Sequence, residues 1–125
     1  MSPLVSGVDF VQLPTRDIAE ASRFYGDVLG LECSARYGRV PGAEFETGTL
    51  TLQLFEIERI GMDFNVAPNP VALHVDDVAA ARSQLEAQGV EFMGDTIDSG
   101  VCHMAIFRDP DGNTLMLHHR YAPRD

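Results

Sequence analysis

Lysine is missing from this chain. All nine basic residues are arginine, set against nineteen carboxylates for a formal charge of −10. Without lysine there is no Schiff-base chemistry through a side-chain amine, no covalent pyridoxal phosphate and no lysine-bearing phosphate loop. The acidic balance also argues against a nucleic-acid or anionic-membrane partner, since both reward clustered positive charge. Cysteine is scarce: Cys33 and Cys102 lie far apart with no CxxC, so neither a disulfide framework nor a zinc site is implied. No apolar run approaches the roughly 18 residues that span a bilayer. Met1 to Gly7 does not read as a signal peptide, and a cytoplasmic protein is the expectation.

What is present suits an ordinary globular protein. With 125 residues, 45% of them hydrophobic, residues 1–125 are expected to form a single domain with a real core. Arg108-Asp109-Pro110-Asp111-Gly112-Asn113 is the strongest local signal. Proline presets φ, the aspartates can bond their own backbone, and glycine or asparagine accepts positive φ. The flanking runs Val101–Phe107 and Thr114–His119 alternate as strands, so the stretch reads as a hairpin. If its turn comprises Asp109 to Gly112, Phe107 pairs with Thr114, Ala105 with Met116, and His103 with His118.

Earlier in the chain, Val8–Leu13 reads as a strand ended by Pro14. Asp17 stands at a helix N-cap with Glu20 as its capping-box partner, and Gly30 supplies the stop, giving a helix near Asp17–Leu29. Leu31–Tyr37, Ala43–Glu46 and Leu50–Ile57 are further strands, with a loop at Gly38-Arg39-Val40-Pro41-Gly42. The linker 58–69 carries Met62, Phe64 and Val66, which are expected to pack on the body of the domain rather than line a ligand cavity.

The pattern then recurs. Asp77 follows Asp17 by 60 residues (77 − 17). Val78, Ala81, Leu85 and Gln88 fall where Ile18, Ala21, Tyr25 and Val28 fell. Val71–Val75, Glu91–Ile97, Val101–Phe107 and Thr114–His119 are the strands of this second copy, around a helix near Asp77–Gln88. Leu52-Gln53-Leu54 is matched by Leu115-Met116-Leu117. Two copies of one βαβββ unit are implied, module one at 8–57 and module two at 70–121.

These residues carry a resemblance. Asp17 with Arg23-Phe24-Tyr25 and Val28-Leu29-Gly30-Leu31-Glu32, then Ala72-Leu73-His74-Val75-Asp76-Asp77 and the Phe107-to-Asn113 turn, resemble the vicinal-oxygen-chelate superfamily. That superfamily includes glyoxalase I, bleomycin-resistance proteins and extradiol dioxygenases. The resemblance implies an α+β fold in which two βαβββ modules form a cup-shaped pair of four-stranded mixed sheets around a small ligand, and a homodimer. It also implies four metal-ligand positions, which here hold Phe10, Gln53, Pro70 and Met116. Phenylalanine and proline offer no donor atom, and a thioether suits hard or borderline divalent ions poorly. No metal and no cofactor are therefore expected.

Because side chains alternate along a strand, Phe10, Gln12, Thr51, Gln53 and Phe55 should share a face, as should Ala72, His74, Met116 and His118. Phe10, Gln12, Gln53, Phe55, His74, Met116 and His118 are the candidate ligand contacts. His74, His118 and His103 are the candidate acid–base groups, while His119 and Glu56 should face away. The reading is a metal-independent protein that binds or sequesters a hydrophobic, aromatic metabolite or antibiotic. The alternative is a glyoxalase-like lyase or isomerase, or a dioxygenase-related enzyme, using His74 or His118.

Overall fold

A computed structural model of the chain describes residues 3–39 and 41–124. Met1, Ser2 and Val40, which fall in stretches named above, lie outside the described residues. The chain forms two compact units, Met1–Phe64 and Asn65–Asp125.

In the first unit, strand β1 (Phe10–Pro14) leads to helix α1 (Ile18–Ser22), which widens into a π-helical turn at Arg23–Val28, and strands β2 (Glu32–Arg36), β3 (Gly42–Glu46) and β4 (Thr51–Phe55) follow. In the second, β5 (Val71–His74) precedes α2 (Val78–Ala87), β6 (Ile97–Asp98), β7 (Cys102–Arg108) and β8 (Thr114–Arg120). The sheet orders are β1-β4-β3-β2 and β5-β8-β7-β6. Each sheet is mixed, because β1 runs parallel to β4 and β5 parallel to β8, while the hairpin pairs are antiparallel. The architecture is α+β, two copies of βαβββ.

Alternation builds both cores. In β4, Leu52 and Leu54 are buried while Thr51, Gln53 and Phe55 are half-buried. Leu13, Ala21, Phe24, Tyr25, Ala43 and Phe45 complete that core. Tyr25 anchors it, with its ring 5.3 Å from Phe24 edge-on and 6.0 Å from Phe45. In the second unit Ala105, Phe107, Leu115 and Leu117 form the sheet's buried side together with Val78 and Leu85 of α2.

Both helices start at the expected aspartates. Asp17 accepts from the amides of Ala19 and Glu20, and Asp77 from that of Ala80. The expected capping-box return from Glu20 is replaced by Thr15, whose hydroxyl accepts from the Asp17 amide, and by Glu56, whose Oε2 accepts from that of Ile18 at 2.9 Å. A long-range carboxylate outcompetes the local one for the helix's first donors.

The expected strand Glu91–Ile97 is not made. Only Ile97–Asp98 and an isolated bridge from Phe92 to Phe107 survive. Gly94 adopts a φ of 73°, and Arg82 draws the segment to α2, donating to the Gly94 carbonyl at 2.8 Å and to Thr96 at 3.2 Å. In the linker Phe64 lies beneath the Arg16 guanidinium, 4.0 Å from its ring centroid, but Met62 and Val66 are exposed, against expectation. Among the described residues no helix is long and apolar enough to cross a membrane.

The Asp109–Asn113 turn is held from inside. Asp109 and Asn113 are buried. The Asp109 carboxylate accepts from the amides of Asp111 and Asn113, both at 2.9 Å, and from Asn113 Nδ2 at 2.8 Å. Asn113 Oδ1 in turn accepts from the Ala67 amide at 2.9 Å. Replacing Asn113 with alanine removes one donor from the buried Asp109 carboxylate, whose Oδ1 keeps its two backbone amides, and takes the acceptor from the Ala67 amide. Asn113→Ala should therefore lower unfolding stability by about 3 kcal/mol in a urea titration with unchanged m-value.

Candidate functional site

The exposed side of the first sheet carries a connected set of polar groups between aromatic rings. Register places Gln12 opposite Gln53, Phe10 opposite Thr51 and Pro14 opposite Phe55 across β1 and β4. Across β3 and β4 it places Glu44 opposite Gln53 and Glu46 opposite Thr51. Gln12 Nε2 donates to Gln53 Oε1 at 2.6 Å, Gln53 Nε2 donates to the Tyr37 hydroxyl at 2.7 Å, and that hydroxyl donates to Glu44 Oε2 at 2.5 Å. Burial first, and then the bond to Glu44, push the Tyr37 phenol above its ordinary 10.0. It remains a donor throughout the physiological range.

Gly42 makes this arrangement possible. A Cβ there would lie 2.5 Å from Tyr37 Cδ2 and 3.0 Å from Phe55 Cδ2. The two rings rest over bare backbone with centroids 6.1 Å apart. Beside them, a bulge in β2 between Cys33 and Ala35 turns Ser34 toward Glu46. The Ser34 hydroxyl, and then the Thr51 hydroxyl, hold the Glu46 carboxyl below its usual range. Phe10, at 49% exposure, stands open at the β1 edge.

The second sheet presents a different face. Ala72 lies opposite Met116, and His74 opposite His118, across β5 and β8. From β7, Ile106 lies opposite Met116 and Met104 opposite His118. The face is apolar, with two imidazoles at one end. The expected convergence of His74, His103 and His118 does not occur, because His103 pairs with His119. The turn takes in five residues rather than four: Asp109 captures Asn113, the flanking pair becomes Arg108 with Thr114, and every later partner slips by one. His103 thereby falls on the other face, 3.4 Å from Asp98 and ring-to-ring with Tyr121 at 4.7 Å. The His74 ring lies 5.8 Å from that of His119.

The family model of the Glyoxalase/Bleomycin resistance protein/Dioxygenase superfamily matches residues 7–117. The chain belongs to that superfamily. A glyoxylase-like domain-containing protein of Didymella fabae is 27% identical over 110 residues, 83% of this chain and 86% of that protein. Among solved structures, an antibiotic binding protein from Streptomyces sp. CB03234 superposes with TM-score 0.79 at 24% identity, covering 95% of this chain and 99% of that one. A lactoylglutathione lyase from Agrobacterium tumefaciens gives TM-score 0.76 at 22% identity, covering 91% and 93%. A superfamily member from Sphaerobacter thermophilus gives 0.81 at 19%, covering 93% and 98%. At these identities the solved structures show the shared fold alone.

The divalent metal that serves enzymes of this superfamily does not fit the side chains here. Gln53 faces Gln12 rather than Phe10, so the cross-strand pair is two neutral carboxamides already bonded to each other. Pro70 precedes β5, and Met116 faces Ala72. In the first unit the two amides supply no charge to offset a dication, and in the second the thioether supplies none. Among the described residues no three His, Cys, Asp or Glu side chains are grouped to hold one. Glu56, as expected, is not part of this face, being committed to the start of α1.

Alternation along β1 and β4 alone did not reach Tyr37, Glu44, Glu46 and Ser34. Alternation in β3, where Ala43 and Phe45 are buried between half-buried Glu44 and Glu46, was the available signal for the two glutamates. Nothing local marks Tyr37, whose place depends on Gly42.

Two outcomes follow from this geometry. Gly42→Ala should displace the Tyr37 ring and break its bond to Gln53, costing about 1–3 kcal/mol as an overpacked site does; circular dichroism melts and Tyr37 ring shifts by NMR will report it. At the far end of the second sheet, the Gly100 amide and then the Tyr121 hydroxyl hold Asp98 below its ordinary 3.8, while the Asp98 bond raises Tyr121 above 10.0. A depressed carboxylate contributes stability above its unfolded pKa that is lost as pH falls through the folded value. A raised phenol contributes stability below its unfolded pKa that is lost as pH rises through the folded value. Tyr121→Phe should therefore destabilise the protein between about pH 4 and pH 10, with the difference from wild type shrinking outside that window.

Proposed function

We propose that this chain is a metal-independent small-molecule-binding protein of the glyoxalase/bleomycin-resistance type, taking a hydrophobic, aromatic metabolite or antibiotic on the exposed face of its first sheet. The observation that carries the reading is the Gln12–Gln53 pair, in which Gln53, at a position where the superfamily's enzymes hold a metal, is a neutral amide bonded instead to Gln12 at 2.6 Å. Around it stand the rings of Phe10, Phe55 and Tyr37, which supply flat apolar area. Apolar walls with a few placed polar groups are how proteins hold drug-like molecules. The likeness to an antibiotic binding protein agrees with this reading.

His74, Met116 and His118 are proposed as ligand contacts on the second sheet's own face. A lyase or isomerase working through His74 is less well supported. That side chain is 70% exposed and lies 3.2 Å from Asp76, itself 99% exposed, so it sits in water rather than in the dry, preorganised setting that acid–base catalysis exploits.

The test uses naphthol as the probe, followed by its own fluorescence. Phe55→Ala should weaken binding roughly thirtyfold, the loss of about 2 kcal/mol from a well-placed aromatic contact. Exhaustive chelation should leave the affinity unchanged. An unaltered affinity in Phe55→Ala, or a collapse on chelation that zinc or nickel restores, would refute the reading.

A further inference from the structure

One carboxylate sets the direction of every hydrogen bond in the amide chain. Glu44 can only accept, so the Tyr37 hydroxyl, 2.5 Å away, spends its single proton on it. The phenolic oxygen then has only lone pairs to offer, and Gln53 must turn its NH2 toward it, as it does at 2.7 Å. That orientation aims Gln53 Oε1 at Gln12, which must answer with its own NH2, as it does at 2.6 Å. Turning Gln12 over would press two carbonyl oxygens together at that distance. Turning Gln53 over would set its oxygen against the Tyr37 oxygen, and Tyr37 could relieve this only by deserting the buried side of its bond to Glu44. Each alternative sets two acceptors against each other and forfeits a hydrogen bond of the chain.

The consequence appears at the open end. Among the described residues Gln12 Oε1 takes part in no hydrogen bond, and Gln12 is exposed on β1 two residues from Phe10. The face therefore offers an outward carbonyl acceptor beside an open aromatic ring, the NH2 group of Gln12 with its second hydrogen lying on the Gln53 side of the carboxamide. We infer that Glu44, acting through Tyr37 and Gln53, fixes Gln12 as a hydrogen-bond acceptor and so selects aromatic ligands that carry an O–H or N–H donor on or beside the ring. Phenols, aryl amines and lactams belong to this class; ethers and other ligands that can only accept do not. Gln12 touches the ligand, whereas Gln53, Glu44 and the hydroxyl of Tyr37 position it, the Tyr37 ring remaining part of the apolar area.

This inference rests on the binding reading above, and a matched probe pair separates the two. Naphthol and methoxynaphthalene share one ring system and differ in whether the oxygen can donate. Wild type should bind naphthol about tenfold more tightly, the effect of one satisfied hydrogen bond. In Tyr37→Phe the ring still covers Gly42 and Phe55, but the relay is cut and both amides can rotate. The preference should then fall to within about twofold while methoxynaphthalene affinity holds or rises. Glu44→Ala, which frees the Tyr37 proton for Gln53, should erase the preference in the same way.

Phe55→Ala weakens both probes alike and leaves their ratio intact. Equal affinity of wild type for the two probes overturns the inference while the binding reading stands. A tenfold preference that survives both Tyr37→Phe and Glu44→Ala overturns it too. Failure of both probes to bind wild type overturns both.

Discussion

A hairpin's register is set by the residues its turn captures, and in each unit that capture decides which side chains share the exposed face. In the first sheet Thr47 closes the β3–β4 turn, its hydroxyl donating to the Leu50 carbonyl at 2.6 Å and accepting from the Leu50 amide at 3.0 Å. Glu46 is thereby paired with Thr51, and Glu44 with Gln53. In the second, the buried Asp109 carboxylate gathers Asn113 into the turn, so Met104 rather than His103 comes to face His118. Because side chains alternate with a period of two, a single residue gained or lost at either turn would exchange core for surface along a whole strand. The polar chain of the first sheet and the apolar face of the second both depend on these short buried bonds.

This dependence explains what could and could not be read from the sequence. The two-copy plan was legible because it rests on spacing: Asp17 and Asp77 at matching helix starts, and Leu-x-Leu at Leu52–Leu54 and Leu115–Leu117. Local chemistry acting over a few residues suffices for each. The histidine grouping was illegible because it required counting across a turn whose length depends on a buried carboxylate, and the count was short by one. The strand expected at Glu91–Ile97 failed for a related reason. Arg82, reaching across from α2, donates to the Gly94 carbonyl, a group that a strand ladder would otherwise have paired, and to the Thr96 hydroxyl.

The candidate site divides in the same way. Gln12, Gln53 and Phe55 could be placed on one face from alternation along their own strands. Tyr37 could not, since its position is created by the absence of a side chain at Gly42, and a glycine in sequence does not announce which ring will cover it. Ser34 required a bulge, which shifts register at one residue without any marked sequence signal. Tyr37 and Ser34 thus came from the β2 edge of the sheet, where a glycine and a bulge rather than alternation decide placement.

A neutral, pre-oriented chain has a physical advantage over a charged pocket for an uncharged aromatic ligand. Covering an ion pair strips water from two charges and costs several kcal/mol unless the geometry is excellent. Covering a carboxamide already bonded on one side removes much less hydration. Here the only formal charge in the chain, on Glu44, lies at the end away from Gln12 and is already engaged by Tyr37. A ligand settling against Phe10 and Gln12 therefore displaces water from apolar rings and one carbonyl while the charge keeps its partner. The polarity that Glu44 imposes is transmitted across the sheet, and its solvation is left undisturbed.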